Sequence, residues 1–279
     1  ISPEKRFTDY HDLASLHPDL AFILNHNHYL IAQFFLDSGT SVFTEKPLAW
    51  NSMQTDQLVK LAYAKSLWLG VGYMKRHDPC SKWIKEFLKE NGKPIYIKCN
   101  NYVGGFKRWT DEIYNIIRMS KDEKEKIERQ LSQEWKQALE ETLHLNSSQT
   151  ELQKLLLQLT CHELDLLIYW FGTNISIENV SVTNTILPED GLTQVVGMQM
   201  LCQNTLIYYD VIPLRNSPWT WKQNFEFIYP QEIIQVAFSN PFFPQSDTTI
   251  LRERNSETGF TTEIIQISKK DSFAREIDW

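Results

Sequence analysis

Short apolar runs and helical spacings alternate over the first third of the chain. Leu20, Ala21, Phe22, Ile23 and Leu24 form an unbroken apolar run between polar residues, which predicts a strand buried on both faces. Residues 10–16 have the spacing of a short amphipathic helix. Residues 29–37 have helical length, and Gly39 stands where a helix end wants a left-handed cap. Residues 41–44 predict the next strand. Residues 51–65 predict a helix with Asn51 as its N-cap, and residues 68–73 a third strand. Strands separated by helices of this length are joined by crossovers, which makes them parallel neighbours in one sheet. This is half of a doubly wound α/β unit.

Beyond residue 77 the pattern changes. Residues 81–91 predict a helix closed by Gly92, and residues 94–103 a strand. Residues 111–143 are rich in Glu, Lys, Gln and Leu at helical spacing and read as one or two exposed helices inserted in the chain. Residues 149–171 predict a longer, more apolar helix ending at Gly172. From Ile175 to about Ile267 nearly everything alternates with period two, with turn signals at 188–191, 216–218 and 239–241. Six or seven consecutive strands without helices between them predict a mainly antiparallel sheet. The fold class is therefore α/β plus α+β: a partial Rossmann-like parallel sheet over 1–77, then a large open sheet domain over 78–279 with a helical insertion near 111–143.

Composition narrows the function. The net charge of −7 argues against nucleic acid as a partner. No apolar run approaches the ~20 residues a bilayer span needs, and the opening residues have no signal-like apolar core, so a cytoplasmic protein without membrane attachment is expected. Cys80, Cys99, Cys161 and Cys202 are widely spaced, as suits reduced thiols rather than a disulfide framework or a metal site. The chain opens on Ile1, and its last residues read as the start of a helix. Both features predict a segment of a longer protein.

The sharpest local signal is Glu45-Lys46-Pro47, directly after a predicted strand. Ligands of open parallel sheets bind beyond the carboxyl ends of strands, so a lysine there is placed for acid/base work or for steadying an alkoxide. The bland alternative is a solvated loop lysine.

Its context resembles one family. Asp19 to Leu24, then His28, Gly39 and the run Val42 to Ala49 containing Glu45-Lys46-Pro47 are similar to the second half of the cofactor domain in the Gfo/Idh/MocA oxidoreductases. Val71 to Pro79, with Tyr73 and Arg76, resembles the segment leading into that family's second domain. His162 and Asp165, followed by Trp170-Phe171-Gly172, resemble its H-x-x-D helix, and Ser272 to Glu276 the opening of a late helix. The resemblance implies hydride transfer between NAD or NADP and a hydroxyl or carbonyl carbon of a sugar, sugar derivative or cyclitol. It implies Lys46 and His162 as catalytic residues and Asp165, Arg76 and Tyr73 at the substrate. It implies Asn25, His28, Glu45, Lys46 and Pro47 at the cofactor, and no metal. A homodimer or homotetramer built through the large sheet would follow, with Ile207, Tyr209, Phe225 and Phe227 as exposed apolar positions. His162 and Asp165 are three apart on a helix and share a face, so the carboxylate is placed to orient the imidazole or a substrate hydroxyl.

The match departs in three places. Gln158 stands where the family usually has an Asp, and it carries neither charge nor a proton. Leu24 to Asn27 replace the usual Thr-Pro turn. No G-x-G-x-x-G turn occurs in the chain; Gly70 and Gly72 lie inside a predicted strand, and Gly104-Gly105 lead into no clear helix. Three readings stay open: an oxidoreductase lacking its phosphate-binding segment in this chain, a non-catalytic relative serving as an assembly or regulatory partner, and a carbohydrate-binding module using Trp219 and Trp221.

Overall fold

A computed structural model describes residues 6–7, 9–25, 28–104, 120–187, 191–214, 221–240, 247–268 and 272–277. Residues 111–119 of the helical insertion expected over 111–143, the turn signals at 188–190 and 216–218, and Trp219 lie outside them. The chain divides into two compact units, Ile1–Tyr73 with Arg118–Cys161, and Met74–Ile117 with His162–Trp279.

In the first unit, helix α1 (Tyr10–Ala14) precedes strand β1 (Leu20–Ile23). Helix α2 (His28–Asp37), strand β2 (Ser41–Glu45), helix α3 (Ser52–Ala64) and strand β3 (Leu69–Gly72) follow. The strands run parallel in the order β1-β2-β3. Gly39 closes α2 at φ +85°, a conformation that spares glycine the clash a side chain would meet. Asn51 caps α3 by accepting from the Gln54 N–H at 2.8 Å. Ala32, Leu36, Val42 and Leu58, all fully buried, form the centre of the core. β1 corrects the expectation of two buried faces. Ala21 and Ile23 are buried, but Leu20 and Phe22 are exposed, Phe22 to 51%. Helix α2 packs against this strand, and the ring of Phe43 lies 5.4 Å from that of Phe22, centre to centre.

The rest of the first unit is helical: α5 (Lys121–Trp135), a π-turn (Lys136–Glu141) and α6 (Ser147–Leu159), in chain order after α4, described below. Leu131, Ala138 and Leu139 are buried with Trp50, and Trp50 meets Trp135 edge-to-face at 5.6 Å. The long helix expected over 149–171 is broken at Thr160, where α7 (Cys161–Phe171) begins. The Thr160 hydroxyl bonds the Leu156 carbonyl at 2.7 Å, the back-bonding that bends and interrupts helices.

The second unit starts with a 3₁₀ turn (Met74–His77) and helix α4 (Pro79–Asn91), capped by Asp78. Strands β4 (Tyr96–Gly104), β5 (Ser176–Leu187), β6 (Gly191–Cys202), β7 (Thr205–Leu214), β8 (Trp221–Ile228), β9 (Glu232–Phe238), β10 (Thr248–Ser256) and β11 (Gly259–Ile267) form one sheet. Its order is β11-β10-β9-β8-β4-β7-β6-β5, and helix α8 (Ser272–Ile277) follows. Every pairing is antiparallel except β4 with β7. Strand β4 comes from far earlier in the chain and inserts between β7 and β8, which no hairpin turn joins to it.

The alternating apolar positions fall on the covered face of this sheet. Ile207, Tyr209, Phe225 and Phe227, expected to be exposed for dimerisation, are buried. Trp170 of α7 packs edge-on against Phe225 and Phe227 at 4.9 and 5.6 Å, so a helix layer of the same unit covers them. No helix among the described residues is long and apolar enough to cross a membrane.

Candidate functional site

Strands β1 and β2 run side by side, Ile23 beside Thr44, so their carboxyl ends open on the same edge of the sheet. Asn25 lies just past the first and is exposed; Glu45-Lys46-Pro47 follows the second, with a cis Lys46–Pro47 bond. His28, buried at the start of α2, places Nδ1 2.6 Å from the Pro47 carbonyl oxygen. A carbonyl only accepts, so Nδ1 carries the proton and donates, which leaves Nε2 as the second functional edge of the ring. The imidazole thereby ties the helix start to the loop that bears the lysine. Lys46 is half-buried; its backbone N–H donates to Glu45 Oε2 at 3.3 Å and its Nζ donates to the Gln158 carbonyl at 3.1 Å.

That last bond changes the meaning of the Asp-to-Gln departure. The Gln158 side chain is exposed, and the contact to the lysine comes from its main chain. Any residue at 158 could supply the carbonyl that holds Lys46 in this arrangement.

His162 and Asp165 lie on α7, in the second unit. Asp165 is buried and ion-paired. Arg76 grips it with both forks, Nε to Oδ2 at 2.7 Å and Nη2 to Oδ1 at 2.5 Å. This is the bidentate geometry in which guanidinium and carboxylate bind most strongly. Burial raises the Asp165 carboxyl above its usual range, while Arg76 pulls in the opposite direction. The Arg76 guanidinium also sits over the Tyr169 ring at 5.5 Å. Two residues expected at the substrate are therefore each other's partner. Tyr73 ends the first stretch of the first unit and is half-buried, its N–H donating to the Val71 carbonyl at 3.0 Å.

Sequence reading missed the polar network beside them. Lys75, 4% exposed, donates to Glu163 Oε1 at 2.8 Å and to the Gln223 side chain, and lies 5.5 Å from the Phe238 ring centre. The other oxygen of Glu163, itself fully buried, accepts from Asn101 Nδ2 and from the Tyr209 hydroxyl, each at 2.9 Å. Burial pushes the Tyr209 phenol well up, so it stays a donor. A readable signal existed: 163, 166, 167 and 170 share one helix face, and the last three are apolar. A carboxylate heading that stripe had to be buried. Among the described residues no group of three or more His, Cys, Asp or Glu gathers as a metal site would require.

Comparison with known proteins places the chain among similar folds. Residues 3–73 match the Gfo/Idh/MocA family, described as an oxidoreductase family with an NAD-binding Rossmann fold. The protein YceM of Salmonella typhimurium is 37% identical over 62 residues, a stretch that is 22% of this chain and 20% of that protein. Among solved structures, UDP-N-acetylglucosamine 3-dehydrogenase GnnA from Acidithiobacillus ferrooxidans superposes with a TM-score of 0.63 at 16% identity, over 98% of this chain and 71% of that one. KijD10, a 3-ketoreductase from Actinomadura kijaniata solved with NADP, gives 0.63 at 14% identity, over 93% and 67%. A dehydrogenase, MviM, from Clostridium difficile gives 0.62 at 19% identity, over 98% and 72%. Residues 3–73 are therefore similar to the cofactor domain of that family, and the chain shares the fold of these solved structures.

Proposed function

We propose that this chain provides the nicotinamide end and the substrate half of an NAD(P)-dependent oxidoreductase acting on a hydroxyl or carbonyl of a sugar, sugar derivative or cyclitol. The observation that carries the reading is Lys46 at the carboxyl end of β2, held by the Gln158 carbonyl behind it and by the His28–Pro47 tie beneath it. The edge where β1 and β2 end together fits a flat ring and its ribose, with Asn25, Glu45, Lys46 and Pro47 along it and His28 in support. The pyrophosphate end does not fit these residues, because the sequence holds no G-x-G-x-x-G run and no glycine-rich turn leads from a strand into a helix among the described residues. When bound, a nicotinamide supplies the hydride acceptor or donor.

The chain's own work is proton handling and positioning. Removing a hydride from a carbinol carbon requires its hydroxyl proton to leave, so Lys46 takes or returns that proton and His162 acts as second acid/base. Arg76 and Asp165, locked as a pair, present guanidinium N–H groups and carboxylate lone pairs to substrate hydroxyls. The protein works in the cytoplasm, where its four free cysteines stay reduced, and assembles as a homodimer or homotetramer through the uncovered face of its large sheet.

A second reading, a non-catalytic relative that serves as an assembly partner, draws on the Arg76–Asp165 pair and on the exposed Gln158 side chain. Titration with NADH and NADPH, followed by energy transfer from tryptophan, separates the two. The proposal expects saturable binding and turnover of a sugar substrate that falls about 10²–10⁴-fold in Lys46→Ala. Binding without any effect of Lys46→Ala on turnover refutes the role of the lysine. No binding, also when a glycine-rich segment is joined upstream, favours the non-catalytic relative.

A further inference from the structure

In the first unit a cleft of about 270 Å³ opens where the first turns of α2 and α3 meet the end of α5 and the π-turn after it. None of Glu45, Lys46, Pro47 or His28 lines it. Its volume is below the roughly 300–1,000 Å³ of clefts that take drug-sized ligands, so its occupant is small.

The chemistry of the walls is uneven in a way that selects a ligand. Glu134 supplies a half-buried carboxylate, to which the Trp50 side chain donates. Leu30 and Met53 line the cleft as large apolar side chains left 46% and 44% exposed. Gln57 accepts from the Tyr29 hydroxyl at 2.6 Å, and Gln54 accepts from the Trp50 N–H at 3.0 Å. Each amide oxygen is thus engaged by the protein, and each side chain, lining the cleft, keeps its amide N–H groups as donors for a ligand. One wall consequently wants a positive charge, another wants hydroxyl oxygens, and the rim wants carbon. The π-turn itself, over Lys136–Glu141 and steadied by the Thr142 hydroxyl on the Gln137 carbonyl at 2.7 Å, is a geometry that recurs at functional sites.

We propose that this cleft binds a small hydroxylated amine, with its ammonium group on Glu134, its hydroxyls on the amides of Gln54 and Gln57, and its carbon skeleton against Leu30 and Met53. Burial pushes the Glu134 carboxyl up to about 7, so a cation arriving beside it recovers a charged form that the empty cleft disfavours. The site is separate from Lys46 and stands whether or not the chain binds a nicotinamide.

Serinol and glycerol share a three-carbon skeleton and differ in an ammonium against a hydroxyl. Calorimetric titration of the full chain with each, in amine-free phosphate buffer at pH 8, tests the proposal. Serinol binds saturably, glycerol at least about tenfold more weakly, and Glu134→Gln weakens serinol about ten- to a hundredfold while glycerol is unaffected. Circular dichroism establishes that the variant is folded, and Gln57→Leu, which keeps the carboxylate, weakens serinol and glycerol together. The absence of saturable serinol heat, equal binding of glycerol, or serinol binding that survives Glu134→Gln overturns it.

Discussion

Replacing Glu134 by Gln should make this protein more stable, and the gain should depend on pH in a way that only a desolvated carboxylate produces. The carboxyl is half-buried, and its ordinary value of 4.5 is raised to about 7, first by desolvation and against a smaller opposing effect of the Trp50 hydrogen bond. A raised carboxyl pKa means the folded state holds a proton that the unfolded chain has already released. Below about 4.5 both states are protonated and the residue has no electrostatic effect. Between 4.5 and about 7 the unfolded chain is favoured progressively, and above that the full penalty is present. Taken at face value the rise corresponds to about 3 kcal/mol, but half-exposure screens it, and about 1.5 kcal/mol is the reasonable figure. Glutamine keeps an oxygen to accept from Trp50 and has no charge to desolvate. Urea unfolding of both proteins in amine-free buffers from pH 5 to pH 8.5 should show near-equal stability at the acid end. The variant should then lead increasingly through neutrality and level off near 1.5 kcal/mol. A difference that is constant across pH, or a variant less stable at pH 8, would refute the desolvation argument.

The buried Lys75–Glu163 pair makes an opposite prediction. Glu163→Ala leaves a lysine charge in the core and should cost about 3–5 kcal/mol by urea unfolding, whereas Lys75→Met combined with Glu163→Leu recovers a large part of that loss; a single-variant cost under about 1 kcal/mol contradicts the ion-pair reading. Asn51 both caps α3 and donates from Nδ2 to the Ala138 carbonyl at 2.8 Å, so Asn51→Ala should cost about 1–2 kcal/mol and speed amide exchange in the π-turn. Exchange that rises in α3 alone would show that the side chain is only a cap. Gly39→Ala meets no atom within 4 Å but forces a side chain to φ +85°; thermal melting should register a loss of about 1 kcal/mol, and an unchanged melt would mean that the turn relaxes.

Local rules sufficed for much of the fold. The strand and helix order of the first unit, the caps at Asn51 and Gly39, and the run of strands after α7 are short-range events, in which a side chain meets a backbone group a few residues away or a period of two meets one covered face. The candidate lysine was legible for the same reason, since a strand end in a parallel sheet is a local fact with a known consequence. Four features depended on distant neighbours. Phe22 is exposed because only one face of β1 is covered, which a five-residue apolar run cannot report. Ile207, Tyr209, Phe225 and Phe227 are core because Trp170 and its helix lie over them, although alternation alone is equally compatible with a free sheet face. Asp165 and Arg76 are 89 positions apart in sequence, and only their convergence in space makes them an ion pair. The same holds for Glu163, whose charge is tolerable in the core only because Lys75, Asn101 and Tyr209 arrive from three separate elements to meet it. Sequence determined which segments would be helix or strand and placed the candidate lysine at a strand end. Tertiary structure decided which face each element buries and which charges face each other, because desolvation and pairing are properties of a surrounding that only the folded chain assembles.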